Sequence, residues 1–132
     1  KKAASESLQE LYLLGFIIYA TVGTHAFLST LGIPAHRVRK AFENSDLQAS
    51  ASFEMSDLTA LDLISQGRVS LVINTPYGRD ERQDGRLIRT AAIVKNLPCI
   101  TTVAAMRAAV EAIKSLKESN LDVRSIQSWL NA

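Results

Sequence analysis

The segment Thr21-Val22-Gly23-Thr24 combines residue types that can hold a phosphate group. The hydroxyls of Thr21 and Thr24 can donate hydrogen bonds to an anion, and Gly23 lets the backbone approach it closely. An apolar run precedes the segment and a helical pattern follows it, so the positive end of a helix is expected at the same place. The alternative is an ordinary strand-to-helix turn in which a threonine only caps the helix. Lys40, at the end of another predicted strand, can add a positive charge, although a single lysine is usually solvated surface.

The polar pair Asn74-Thr75 directly ends a strongly apolar stretch. An amide and a hydroxyl at that point can bond a base, a ribose or a phosphate. A plain turn would explain the Pro76 and Gly78 that follow, but it leaves the polar pair to coincidence. The next helix carries a dense run of acidic and basic residues ending at Arg89, which we predict to be its exposed face with ion pairs three and four residues apart. Asp84, within this run, can also bond a ribose hydroxyl.

Residue types that perform catalysis are sparse and scattered. His25 and His36 lie on different predicted elements, and neither is tied to a nucleophile as a Ser-His-Asp or Cys-His arrangement requires. The single cysteine, Cys99, begins a predicted buried strand, where a thiol is typically a packing residue. One cysteine and two separated histidines form neither a disulfide framework nor a zinc site. No complete phosphate-binding loop or dinucleotide glycine motif is present.

The composition fits one small domain. The chain has 132 residues, 47% of them hydrophobic, which is enough for one core and too few for a second domain. Its net charge of +2 lacks the basic bias of a nucleic-acid binder. The longest apolar stretches fall far short of the ~20 residues of a membrane-spanning helix. We therefore expect a cytoplasmic protein with no nucleic-acid or membrane partner, and the start at Lys1-Lys2-Ala3 suggests a fragment of a longer chain.

Hydrophobic periodicity predicts helices that alternate with strands. The predicted helices end near Gly15, Gly32, Gly67 and Asn96, and the predicted strands cover residues 16–20, 36–40, 69–74 and 99–102. The second helix is expected over residues 25–31. The third is expected to be capped by Ser56 and to turn Leu58, Leu61 and Ile64 inward. Residues 41–55 form a long predicted loop, and residues 119–132 form a tail with a possible short helix.

This alternation predicts a three-layer α/β/α fold with a mostly parallel sheet and right-handed crossovers. Ligands of such folds lie beyond the carboxyl ends of the strands. The segments expected there are residues 21–24, 40–44, 74–85 and 101–102.

Three motifs together resemble the methylglyoxal-synthase-like (MGS-like) superfamily. They are Ala20-Thr21-x-Gly23-Thr24, Ile73-Asn74-Thr75-Pro76-x-Gly78-Arg79 and Ile88-Arg89-x-Ala91-Ala92. The best match within it is the allosteric domain at the C-terminus of carbamoyl-phosphate synthase large chains. The resemblance extends over about residues 1–117, and the regulatory domain is expected to span residues 1–118. It implies a Rossmann-like fold of five parallel strands, of which the first is absent from this chain.

The resemblance also implies a site and its ligands. A nucleotide monophosphate would bind at the carboxyl edge, with UMP as an inhibitor and IMP as a possible activator. Thr21, Thr24 and Lys40 match the family's phosphate-binding positions, and Lys1 matches a further phosphate-binding lysine by register, with Lys2 as a one-residue alternative. Asn74 and Thr75 match the strand-end contacts. The positions that close around ribose and base are Asp84, Leu87 and Ile88.

The resemblance implies that the protein partners of this domain belong to a larger enzyme. The domain itself would be non-catalytic and would need no cofactor. It would regulate synthetase domains of the same chain, which act with a small glutaminase subunit in an ATP- and magnesium-dependent, glutamine-hydrolysing ligase of pyrimidine and arginine biosynthesis.

Departures from the family pattern leave the effector open. Pro76 stands where some relatives have threonine, Cys99 stands where ornithine-binding members have an aromatic residue, and the 41–55 loop is longer than usual. Two other functions remain as alternatives. One is methylglyoxal synthase itself, whose Pro-Leu-Gly-Gly-Asp stretch and histidine are missing here. The other is an interaction domain that keeps only the fold.

Overall fold

A computed structural model of the chain describes residues 4–39, 58–75, 81–119 and 123–130, with the side chains of residues 81–84 left out of the description. The elements alternate as the sequence predicts. In chain order they are α1 (Ser5–Leu13), β1 (Tyr19–Thr21), α2 (Val22–Thr30), β2 (His36–Val38), α3 (Ala60–Ser65), β3 (Val72–Ile73), α4 (Glu81–Val94), β4 (Cys99–Ile100), α5 (Val103–Glu118) and α6 (Ile126–Leu130).

The strands of the described residues form two parallel pairs, which agrees with the predicted α/β class. β1 pairs with β2, so that Ala20 lies opposite Arg37, and β3 pairs with β4, so that Val72 lies opposite Cys99. A single parallel bridge between Arg39 and Thr59 continues the first pair. The strands are shorter than predicted: β1 begins at Tyr19, and Ile17, expected to be buried on both sides, is 68% exposed.

Four helices end in the same hydrogen-bonded turn, and each of these turns leads the chain into a strand. In each turn one N–H bonds back three residues and the next bonds back five, as in Ile33 to Leu28 at 3.1 Å. The residue at the bend has a positive φ angle, which glycine and asparagine tolerate best. The bend residues are Gly15, Gly32, Gly67 and Asn96. All four predicted helix ends are therefore confirmed.

The predicted start of α3 is wrong. The helix begins at Ala60, and its N-cap is Thr59. Ser56, the predicted cap, lies outside the described residues. Leu58 is buried but precedes the helix, and Leu63 and Ile64 are the buried helical residues, whereas Leu61 is only half-buried. The bridge from Arg39 to Thr59 explains the shift, because it holds residues 58 and 59 extended beside β2.

Thr59 and Asp62 cap the first turn of α3 through hydrogen bonds to each other. The Asp62 carboxylate accepts hydrogen bonds from the Thr59 N–H at 2.8 Å and from the Thr59 hydroxyl at 2.7 Å, and the Asp62 N–H donates to that hydroxyl oxygen. Hydrogen bonds to the charged carboxylate lower the pKa of Asp62, and the nearby Arg39 charge contributes in the same direction.

Asp62→Ala is expected to reduce the free energy of unfolding by about 0.5–1.5 kcal/mol at neutral pH, the usual net contribution of a hydrogen bond, because it removes the carboxylate that accepts from Thr59 and leaves the Thr59 N-cap in place. Because the folded-state pKa lies below the unfolded value of about 3.9, this contribution is complete above that value and is lost as the pH falls through the folded pKa. Urea unfolding at pH 6 and pH 2.5 measures it. Asp62→Asn keeps an acceptor oxygen and isolates the effect of the charge. An equal wild-type-to-variant difference at both pH values would contradict this account.

The core includes three small clusters of buried residues beside the strands, and Leu11, Met106 and Val110 are buried on α1 and α5. Leu28 of α2 packs with Ala20 and Ile33, Leu63 of α3 packs with Val38 and Leu58, and the neighbouring Ile64 packs with Val72 and Ala92. α3 therefore contributes to the clusters of both strand pairs.

α5 lies against α1, where Lys114 forms an ion pair with Glu10 at 3.3 Å. The predicted tail helix is present as α6, and all of its residues are exposed.

Candidate functional site

Thr21 lies at the point where β1 becomes α2. It is the last residue of the strand and the N-cap of the helix, which begins at Val22 rather than at the predicted His25. Gly23 and Thr24 therefore lie in the first helical turn instead of a loop. The first turn of a helix presents backbone N–H groups and the positive end of the helix dipole. The carboxyl end of β1 thus has the electrostatics of an anion site.

The Thr21 hydroxyl is not used to cap its helix. Three described helices have a threonine N-cap, and two of these hydroxyls accept a bond from their own first turn: Thr59 from Asp62 and Thr102 from Ala105, at 3.1 Å in the second case. The Thr21 side chain makes no such bond. Its hydroxyl is therefore uncommitted to the helix, which argues against an ordinary capped turn.

Asn74 occupies the carboxyl end of β3 and is half-buried. Its backbone N–H donates to the Ile100 carbonyl of β4 at 2.8 Å, and its side-chain Nδ2 donates to the Gly85 carbonyl at 2.9 Å. The second bond orients the amide and leaves its Oδ1 as an acceptor. Thr75 beside it is exposed. The strand end therefore presents an oriented amide and a solvent-accessible hydroxyl, the groups that the sequence predicted there.

Arg89 corrects the prediction that the charged run of α4 is solvent-exposed throughout. Its side chain is half-buried, and its Nη1 atom is buried without a hydrogen-bond partner among the described residues. A Cβ on Gly85 would lie 3.0 Å from this Nη1 and 3.1 Å from the Asn74 amide atoms. The absence of a side chain at Gly85 therefore leaves room for both groups beside Asn74. The sequence feature that could have indicated this arrangement is a glycine four residues before an arginine on the same helix.

A second unpartnered guanidinium nitrogen lies at the end of β2. The Nε atom of Arg39 is buried and makes no hydrogen bond in the described part of the chain. The Arg39 backbone is held by bonds to Leu58 and Ala60 on either side of Thr59. Positive side chains therefore lie beside the carboxyl ends of two strands, β2 and β3. Sequence reasoning singled out Lys40 and passed over Arg39.

Several predicted site residues cannot be placed. Lys1 and Lys40 lie outside the described residues, and so does the side chain of Asp84, whose backbone is in the first turn of α4. Leu87 and Ile88 are half-buried on α4, and Ile88 packs against the cluster of Val72.

Cys99 behaves as a packing residue. Cys99 is half-buried against the cluster of β3 and α4, and burial raises the pKa of its thiol, while the Arg89 charge acts in the opposite direction. A raised pKa makes a thiolate nucleophile scarce at neutral pH.

Within residues 4–39, 58–75, 81–119 and 123–130, no group of three His, Cys, Asp or Glu residues can hold a metal ion. None of the described helices is both long and apolar enough to cross a bilayer.

Comparison with known proteins gives one consistent result. Residues 3–101 match the family of MGS-like domains. The carbamoyl phosphate synthase large chain of Streptomyces coelicolor is 42% identical over 119 residues, which are 90% of this chain and 10% of that protein. The large chain of Mycobacterium tuberculosis is 44% identical over 115 residues, 86% of this chain and 10% of that protein. The chain therefore spans about a tenth of the length of these relatives.

Proposed function

The chain belongs to the MGS-like domain family, and from this we propose that it is the C-terminal regulatory domain of a carbamoyl phosphate synthase large chain. Two large chains that share 42% and 44% identity with it support the proposal. The ligase activity, with its ATP, magnesium and small glutaminase subunit, belongs in this proposal to the parent enzyme. The domain contributes regulation.

Its ligand in this proposal is a nucleoside monophosphate, UMP or IMP. The observation that carries the proposal is Thr21, which stands at the start of a helix with a hydroxyl that does not cap it. A phosphate placed there receives bonds from the hydroxyl and from the first helical turn. Lys40 and Arg39 add positive charge from the end of β2.

The nucleoside half extends toward the end of β3. Asn74 offers an oriented Oδ1 acceptor, and Thr75 offers a hydroxyl. Such groups suit the N–H of a base or a ribose hydroxyl. Asp84 is assigned to the ribose, and Leu87 and Ile88 to the closing wall. Binding here would change the activity of the synthetase domains through a coupling free energy of about 1–3 kcal/mol.

Calorimetric titration of the chain with UMP, IMP and uridine tests this function. We expect UMP or IMP to bind, and uridine, which has no phosphate, to bind far more weakly. Because a ligand of the native state alone stabilises it, the effective nucleotide at a hundred times its Kd should add about 2.7 kcal/mol of stability and raise the Tm. If neither nucleotide binds or shifts the Tm at millimolar concentration, the chain is an interaction domain that keeps only the fold.

A further inference from the structure

Two side chains with unused hydrogen-bonding atoms lie close together at the carboxyl end of β3. A Cβ on Gly85 would lie 3.0 Å from Nη1 of Arg89 and 3.1 Å from both Oδ1 and Nδ2 of Asn74. The guanidinium of α4 and the amide that follows β3 therefore approach the same point. We call the space around this point the Gly85 space.

The hydrogen bonds already formed determine what each group still offers. The Asn74 Nδ2 donates to the Gly85 carbonyl at 2.9 Å, so the amide presents its Oδ1 as an acceptor. Nη1 of Arg89 is buried without a partner among the described residues, and a guanidinium nitrogen can only donate. The Gly85 space is therefore bordered by one free donor and one free acceptor.

The unpartnered donor of Arg89 indicates a bound molecule. Buried polar atoms without a partner are unfavourable and are rare in native proteins. The Cys99 thiol, which senses the Arg89 charge, does not neutralise it at neutral pH, because burial raises the pKa of that thiol. An acceptor atom of a ligand at the end of β3 would give Nη1 its missing partner.

The glycine at position 85 is explained by this space and not by backbone geometry. Gly85 is buried within α4, and its φ angle lies outside the left-handed region that favours glycine. Glycine is less favourable than alanine inside a helix. A side chain at this position would crowd both Nη1 of Arg89 and the Asn74 amide. Glycine therefore keeps open a space that a ligand atom can enter.

A donor next to an acceptor is complementary to a carbonyl next to an N–H, the pair that a keto base presents on its hydrogen-bonding edge. Uracil has an N–H between two carbonyls, and hypoxanthine has an N–H beside one carbonyl. Cytosine and adenine carry a bare ring nitrogen and an amine instead. A phosphate held at Thr21 restricts how the base can turn, so in the same pose these bases place like groups against each other.

We propose that Arg89 and Asn74 together recognise the carbonyl and the N–H of a keto base, and that Arg89 determines the specificity for nucleotides such as UMP and IMP over CMP and AMP. Nη1 of Arg89 donates to the carbonyl oxygen, and Oδ1 of Asn74 accepts from the neighbouring N–H. Buried polar groups strongly reject an analogue that cannot pair with them. The inference rests on the proposed function, because it takes a nucleotide to bind at this edge.

Calorimetric titration of the chain with UMP, CMP, IMP and AMP at equal ionic strength tests the specificity. We expect the wild type to bind UMP at least about tenfold more tightly than CMP, and IMP at least about tenfold more tightly than AMP. Arg89→Met, which keeps an unbranched apolar stem, should lose at least about tenfold in affinity for UMP and IMP and less than about twofold for CMP and AMP.

Two further variants separate recognition of the base from charge and from folding. Gly85→Ala keeps both recognising groups but narrows the Gly85 space, so it should also reduce the preference for UMP over CMP. Arg86→Met removes the same charge from an exposed position of the same helix, and its four affinities should stay within about twofold of the wild type. Circular dichroism and the Tm check that each variant is folded.

Three outcomes would overturn the inference while leaving the proposed function in place. One is equal affinity of the wild type for UMP and CMP. Another is an equal loss for all four nucleotides in Arg89→Met, since the arginine would then contact the phosphate or the ribose that they share. The third is an unchanged preference in both Arg89→Met and Gly85→Ala. If the wild type binds none of the four nucleotides, the proposed function is refuted, and the inference with it.

Discussion

Lys40→Ala is expected to weaken UMP binding by about 10- to 100-fold. A hydrogen bond to a charged group contributes about 1.5–3 kcal/mol, and a lysine–phosphate contact is of this kind. The backbone of Arg39, the residue before it, is held at the carboxyl end of β2 by its bridge to Thr59. Arg39 therefore lies at the edge that carries Thr21, and Lys40 is the next residue in the sequence. Calorimetric titration of the wild type and the variant at equal ionic strength measures the effect.

Lys95→Ala is the matched control for this prediction. It removes the same charge from an exposed position after α4, at the opposite edge of the strands. We expect its UMP affinity to stay within about twofold of the wild type, because exposed charges beyond a Debye length of about 8–10 Å are largely screened. Tight UMP binding by Lys40→Ala would show that the assigned phosphate site is wrong. An equal loss in both variants would indicate a general charge effect.

Leu28→Ala is expected to lower the free energy of unfolding by about 2–5 kcal/mol, the measured range for buried leucine truncations. Leu28 is 0% exposed and packs with Ala20 of β1 and Ile33 before β2. Truncation leaves a cavity between α2 and the first strand pair. Because α2 also presents its first turn to the candidate phosphate, the variant should show weaker UMP binding as well. Urea unfolding followed by circular dichroism gives the stability change.

Leu31→Ala makes the same chemical change at the end of the same helix. Leu31 is 42% exposed and follows the last residue of α2, so we expect a loss below about 1 kcal/mol. Comparable losses in the two variants would mean that Leu28 does not hold α2 against β1 in the way that its burial indicates.

The helix ends and the parallel strands could be predicted because they depend on residues that are close together in the sequence. Gly15, Gly32, Gly67 and Asn96 end their helices because the bend requires a left-handed residue, and that requirement depends only on neighbouring atoms. The alternation of apolar helices with short β-branched runs similarly implied parallel strands. The start of α3 escaped prediction because Thr59 is held by Arg39, twenty residues earlier in the chain. Serine at position 56 and threonine at position 59 are both good caps.

The same distinction between local and long-range interactions applies to the candidate site. The residue types at the strand ends, Thr21 and Asn74 among them, could be predicted, because a polar residue that ends an apolar strand is visible in the amino-acid sequence. The contacts that these side chains make depend on the folded chain. The Thr21 hydroxyl does not cap its helix, the Gly85 carbonyl orients the Asn74 amide, and the guanidinium of Arg89 turns inward to the space beside Gly85. Such contacts form between residues of separate segments that pack into one small volume. The pattern of neighbouring residues in the sequence therefore does not predict them.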